Sequence, residues 1–303
     1  MAPSAARCHG GCVSRSGQCV LVPRPEQRGG FIERGDVIDG RCLVAGHLAG
    51  DRAWYSRPDH VVVVVMENHS AADISGNGEA PYINALAARG ALFTRSFAVA
   101  HPSEPNYLAL FSGSTQGVTS DACPLTLTGT NLAAELAQAG GTSAGYSEGL
   151  PAVGDPVCSS GTYARKHPPW VNFPSLPATV HQPFTAFPSD FAALPTVSFV
   201  IPDLDHDMHD GSVATGDTWL AEQLRPYATW AEGHNSMLVL TFDEDDRSRD
   251  NQITTIIVGA HVRAGRYDEH LDHYRLLATL KALAGLGNSE PGALQPITDA
   301  WAR

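Results

Sequence analysis

The chain has 303 residues, 43% hydrophobic and 17% charged, a balance that suits an ordered globular core and excludes a disordered chain. A net charge of -12 with only 20 Lys and Arg excludes a nucleic-acid surface, which needs clustered basic residues. No apolar run is long enough to span a bilayer, so any membrane contact is expected to be peripheral.

Residues 1–56 are rich in Gly, Arg and Cys, show weak periodicity and contain no apolar core of the kind a signal peptide uses. They are expected to form a poorly ordered extension, with one α/β domain over residues 57–303. The domain opens on His60 and the valine run Val61–Val65, a strand buried on both faces that stops abruptly at Met66-Glu67-Asn68-His69. A helix follows over Pro81–Arg89, with Pro at its first position and Gly90 at its end.

Ala91–Ala98 alternates like a strand, Glu104–Phe111 and Asn131–Ala139 read as helices, and Thr142–Tyr146 reads as a short strand. Cys158–Pro195 is rich in Pro and aromatics without periodicity, which predicts a long loop, and loops of that length in a domain usually serve function. Regular structure resumes with strands at Thr196–Ile201, Met237–Phe242 and Ile253–Val258, and helices at Asp217–Tyr227 and Leu271–Ala284. Strands alternating with helices predict a mostly parallel central sheet flanked by helices.

The six cysteines include no CxxC pair, so a structural zinc site is not expected. Cys123 and Cys158 lie in Pro/Gly/Ser-rich stretches and read either as a disulfide formed in an oxidising compartment or as two free thiols. Neither the P-loop pattern nor the dinucleotide glycine pattern occurs.

Three strands end in polar clusters: Glu67-Asn68, Asp203 to Asp210, and Asp243 to Asp246. In a parallel sheet such ends share one edge, and converging carboxylates would repel unless a divalent cation compensated them. Each cluster alone reads as a solvated acidic turn, and the three together favour a site. Ser103 stands where a helix begins, which makes a plain N-cap its default reading. The same place offers a hydroxyl the positive end of the helix dipole and free backbone N–H groups, which suit an activated alkoxide and a phosphate.

Met66-Glu67-Asn68-His69-Ser70, the segment His101–Gly113, Asp207-Met208-His209-Asp210, Thr241 to Asp246 and His273-Tyr274-Arg275-Leu276-Leu277 together resemble the phosphoesterase family. That family contains bacterial acid phosphatases and phospholipases C on an alkaline-phosphatase-like core. The resemblance covers about residues 58–288 and is strongest to secreted acid phosphatases acting on phosphatidylinositol 3-phosphate. It implies Glu67, Asn68, Asp243 and Glu244 as ligands of a divalent metal ion of unspecified identity or of phosphate. It also implies Ser103 as nucleophile and His209 as phosphate contact or leaving-group acid, with Asn68, His101 and Asn106 as substrate contacts. A sulfatase-like pattern aligns with Ser103 and Pro105, but Tyr107 replaces its arginine, which argues for serine used directly.

The implied activity is hydrolysis of a phosphate monoester or phosphoinositide through a phosphoserine, in a secreted or extracytoplasmic protein. A phospholipase C-type diesterase and a silent phosphate- or lipid-binding protein are the competing readings. Among other histidines, His273 is read as a core or capping residue first, and His206 competes with His209 for the acid role. Lys166 and His167 are read as solvated loop, with contact to a lipid phosphate or headgroup as the alternative.

Overall fold

The computed structural model describes residues 57–287 and 294–302, together with the backbone of five short strands between residues 7 and 43. The chain divides into two compact units, Met1–Ala53 and Trp54–Arg303. In the first unit Arg7–Cys8, Cys12–Arg15, Gln18–Leu21, Arg34–Ile38 and Arg41–Leu43 form an antiparallel meander. The rest of the expected poorly ordered extension, and the side chains of its four cysteines, lie outside the described residues.

The second unit is built on the valine strand, β1 (His60–Met66). Val61, Val63 and Val65 point into one apolar layer and Val62, Val64 and Met66 into the other. A strand buried on both faces has no use for polar alternation, which is why this one reads as an unbroken apolar run.

In chain order there follow α1 (Pro81–Arg89), β2 (Ala91–Phe93), α2 (Ser103–Ser112), α3 (Leu132–Gln138), β3 (Ser143–Ser147), β4 (His181–Pro183) and β5 (Val197–Ile201). Then come α4 (Val213–Gln223), α5 (Arg225–Ala231), β6 (Ser236–Phe242), β7 (Thr255–Gly259), β8 (Gly265–Tyr267) and α6 (His273–Leu283). The eight-stranded sheet runs β4-β3-β5-β1-β6-β7-β2-β8. Only β7 is antiparallel to its neighbours, so the sheet is mostly parallel as predicted. Helices α2, α3 and α6 cover one face; α1, α4 and α5 cover the other.

Three predicted elements differ in detail. The strand expected over 91–98 breaks into Ala91–Phe93 and Ser96–Phe97 around a turn at Thr94-Arg95. The helix expected over 217–227 starts earlier, where Ser212 caps it by accepting the Thr215 N–H, and stops at Gln223. Pro226 forces that break, because it has no N–H to continue the ladder and its ring would strike the preceding turn. Helix α6 starts at His273 because Asp272 accepts the Arg275 N–H; Leu271-Asp272 instead pairs with Ser96-Phe97.

The long loop before β5 carries short 3-10 turns and the edge strand β4. It is pinned at one end by the disulfide Cys123–Cys158. Further along, Trp170 lies flat on the backbone of β3, where a Cβ on Gly145 would come within 2.0 Å of the indole. That approach requires glycine.

Candidate active site

Because β5, β1 and β6 are adjacent and parallel, their carboxyl ends deliver Asp207, Glu67 and Asp243-Glu244 to one edge. Backbone hydrogen bonds fasten these ends: Glu67 N–H donates to Asp207 O at 2.8 Å and Asp243 N–H to Met66 O at 2.9 Å. Asn68 has φ 52°, a left-handed conformation that asparagine tolerates, and its N–H donates to Asp243 Oδ1 at 3.1 Å. Its side-chain amide makes no hydrogen bond among the described residues and is free for a ligand.

Helix α2 supplies the hydroxyl. All ten of its residues are buried, and it closes on Gly113 at φ 73°. Pro102, not Ser103, occupies the cap position, and the first-turn N–H of Glu104 is capped from outside the helix by Asp121 Oδ1 at 3.0 Å. Ser103 therefore has no capping duty, and its hydroxyl faces the sheet edge. It donates to Glu67 Oε2 at 3.1 Å and lies 3.4 Å from Glu244 Oε1.

Around this pair the carboxylates are packed into a dry space. Glu67, Asp207 and Asp243 are all at most 1% exposed. Burial, and then the charge of Asp207, raises the Glu67 carboxyl well above its usual range. Asp243 is likewise raised well above it by burial and by the charges of Glu67 and Glu244. Burial pushes Asp207 up to about 8.

The Oδ2 atoms of Asp207 and Asp243 are buried without a hydrogen-bond partner. Oxygen atoms left unsatisfied beside further carboxylates fit a hard divalent cation, which would replace the protons these groups otherwise need. The candidate metal-binding groups among the described residues include Glu67, His167 and Asp207, whose ligand atoms lie within 4.8 Å of one another.

His167 is the main residue the sequence reading placed elsewhere. It is 1% exposed, not solvated. Its Nε2 lies 3.3 Å from Glu67 Oε1 and its Nδ1 3.2 Å from Asp207 Oδ2, and its ring stacks on Tyr107. Burial drives its pKa well below that of a free histidine, so it stands as a neutral imidazole, the form that ligates metals. Tyr107, noted only for replacing an arginine, donates its hydroxyl proton to Glu67 Oε1. The length of the Cys158–Pro195 loop was the one sequence signal that could have found His167.

The remaining expected residues fall as follows. His101 hydrogen-bonds Glu244 Oε2 through Nδ1, and its Nε2 lies 3.4 Å from Asp245 Oδ1. It therefore orients the second carboxylate of the site. Asn106 departs from the expectation of a substrate contact: it accepts from Val99 N–H and Ala100 N–H and donates to Ala100 O and Pro102 O. With all four of its hydrogen-bonding positions spent, it holds the loop before Ser103. His273 is buried and donates Nε2–H to Phe242 O at 3.0 Å, a structural role. His206 sits in a separate network with Glu148 and Asp203.

His209 contacts Lys166, not Ser103. Its Nε2 is 3.2 Å from Lys166 Nζ and its Nδ1 is 2.6 Å from Asp210 Oδ1. The turn that presents it runs through Met208 at φ 81° and is closed by Asp207 Oδ1 accepting the His209 N–H at 2.7 Å.

A family model described as the Phosphoesterase family matches residues 77–287. Phosphatidylinositol-3-phosphatase of Mycobacterium tuberculosis is 55% identical over 246 residues, covering 80% of this chain and 82% of that protein. The phosphate-repressible acid phosphatase of Penicillium chrysogenum is 32% identical over 237 residues, covering 70% of this chain and 57% of that protein, so the chain spans little more than half of that relative. Among solved structures, an alkaline phosphatase superfamily protein from Vibrio parahaemolyticus matches with TM-score 0.57 at 12% identity, covering 82% of this chain and 72% of the other. The lipoteichoic acid synthase LtaP from Listeria monocytogenes matches with TM-score 0.57 at 10% identity, covering 81% and 77%. At such identities the structures speak for the fold alone, which is alkaline-phosphatase-like. The family match over residues 77–287 and the 55% identity to the mycobacterial phosphatase agree: the chain belongs to the phosphoesterase family.

Proposed function

We propose that this phosphate ester hydrolase acts on monoesters through a phosphoserine at Ser103. The observation that carries the reading is the Ser103 hydroxyl, at the first position of a buried helix, donating to Glu67 within 3.4 Å of Glu244. Ser103 Oγ attacks phosphorus as the bond to the alcohol oxygen breaks, and water then cleaves the phosphoserine. The hydroxyl proton already points at a carboxylate that can take it. In the first turn of α2 the Glu104 N–H is taken by Asp121 and Pro105 has none, which leaves the Ser103 N–H for the developing oxyanion.

Glu67, Asn68, Asp243 and Glu244 would hold a divalent cation, with His167 and Asp207 beside them. When bound, it supplies charge neutralisation for the phosphoryl oxygens and lowers the pKa of the nucleophile.

A cavity of about 610 Å³ lined by His69, Asp73, Ser75, Asn77 and Asp246 adjoins the site in sequence, since His69 follows Asn68 and Asp246 follows Asp245. Its polar walls suit a polyhydroxylated alcohol better than an acyl chain. A phosphoinositide, the substrate named for the mycobacterial relative, is accordingly the proposed physiological ester. The Cys123–Cys158 disulfide supports function outside the reducing cytosol, and no helix among the described residues is long and apolar enough to cross a membrane.

The test compares wild type and Ser103→Ala on p-nitrophenyl phosphate, its choline diester and vesicles containing phosphatidylinositol 3-phosphate, with and without chelator. Monoester turnover lost in the variant and in chelator is expected. Full activity of Ser103→Ala would reject the phosphoserine route, and preference for the diester would favour phospholipase C chemistry.

A further inference from the structure

The ammonium group of Lys166 is held at the edge of the carboxylate cluster by partners on two sides. On one side Asp121 joins it to the nucleophile's helix: Asp121 Oδ2 is 3.2 Å from Lys166 Nζ, while Asp121 Oδ1 accepts the N–H of Glu104, the residue after Ser103, at 3.0 Å. On the other side His209 Nε2 is 3.2 Å from the same Nζ.

The next residue, His167, lies against Glu67 and Asp207 and stacks on Tyr107, so the backbone at Lys166 is fixed to the site as well.

A lysine has three N–H donors and no acceptor. Two are engaged here, by Asp121 and His209, which leaves one unclaimed among the described residues. The contact also fits one tautomer of His209. Facing a donor, its Nε2 must accept, so the ring proton is on Nδ1, where Asp210 Oδ1 receives it at 2.6 Å. In that tautomer the ring carries no proton on Nε2 to hand to a leaving group.

We propose that Lys166 is the residue that binds the transferred phosphoryl group, donating its third N–H to a phosphoryl oxygen, and that His209 is a positioning residue that holds Lys166 in place. The inference rests on the phosphatase reading above and gives His209 a different task from that of leaving-group acid. It also favours monoesters: a lysine grips the two charges of a monoester dianion more strongly than the single charge of a diester.

Two assays test it. The first measures kcat/KM on p-nitrophenyl phosphate, whose leaving group needs no proton, and on an alkyl phosphate, whose leaving group does. Lys166→Met should lower both by the same factor, on the order of 100-fold, the scale of losing one oxyanion donor. Lys166→Arg should recover part of it. His209→Gln, whose amide oxygen can still accept from Lys166, should lower both substrates equally and by less. A His209→Gln loss at least tenfold larger on the alkyl phosphate would show His209 to be the acid and overturn the assignment.

The second assay titrates inorganic phosphate into metal-loaded Ser103→Ala with and without Lys166→Met by calorimetry. Weaker phosphate binding in the double variant is expected, and unchanged binding would remove Lys166 from the site. This arm reads phosphate directly, so it stands even if wild type turns over no ester, the result that would instead defeat the phosphatase reading. Unaltered thermal unfolding of each variant excludes loss of fold; should Lys166→Met unfold, Lys166→Arg carries both comparisons.

Discussion

Lowering the pH from 7 to 5 should cost the folded protein about 2 kcal/mol through His273 alone. This imidazole is 1% exposed and donates Nε2–H to the carbonyl of Phe242, the residue before Asp243. Its Nδ1 is buried with no hydrogen-bond partner, so a second ring proton would bring an unpaired charge into the core. Burial accordingly lowers its pKa from 6.5 to about 4. The unfolded chain takes up the proton near 6.5 and the folded chain does not until about 4, so the stabilisation is complete above 6.5 and is lost as pH falls toward 4.

From 6.5 to 5 is about 1.5 units, and at roughly 1.4 kcal/mol per unit the loss is about 2 kcal/mol. That is a sizeable share of a typical domain stability of about 5–15 kcal/mol. Other groups titrate in the same range: His181, also lowered to about 4, adds to the loss, whereas Asp207, raised to about 8, opposes it. The difference between wild type and His273→Gln isolates the term, since glutamine can still donate to Phe242 but cannot charge. Urea denaturation of both proteins at pH 7, 6 and 5 and equal metal content should show their stability gap shifting by about 2 kcal/mol in favour of the variant at pH 5. A gap independent of pH would refute the reasoning.

Three further outcomes follow from the site and its supports. Asp207→Asn should weaken divalent cation binding by about 10- to 100-fold in a calorimetric titration, because it removes an unsatisfied buried oxygen beside Glu67 and His167. Cys158→Ser should lower stability by about 4 kcal/mol, the chain-entropy value for a crosslink across 35 residues, read from the denaturation midpoint under oxidising conditions. Gly145→Ala places a methyl 2.0 Å from the Trp170 ring and should cost about 1–3 kcal/mol in thermal unfolding, with kcat falling as the loop that carries Lys166 and His167 is displaced.

What the sequence disclosed and what it concealed follow from where each residue's partners lie along the chain. The valine strand, the helix at Pro81 and the polar ends at Glu67 and Asp243 announce themselves locally, through burial pattern, turn chemistry and the abrupt change from apolar to acidic residues. Parallel strand order then brings those ends together, which is why the convergence of Glu67, Asp243 and Glu244 was legible in the sequence, while Ser103 was marked by the start of its helix. His167 had no such signal. It lies in an aperiodic stretch next to two prolines, and its place is set by contacts to Glu67, 100 positions upstream in number, and Asp207, beyond the next two sheet strands. Asn106 failed in the opposite way: a polar residue three positions after the nucleophile looks like a ligand, but the loop it clamps consumes every hydrogen bond it can make. His209 was found but its partner was not, because a histidine's chemistry depends on what its second nitrogen meets, and here that is Lys166 from a loop whose fold the sequence left open.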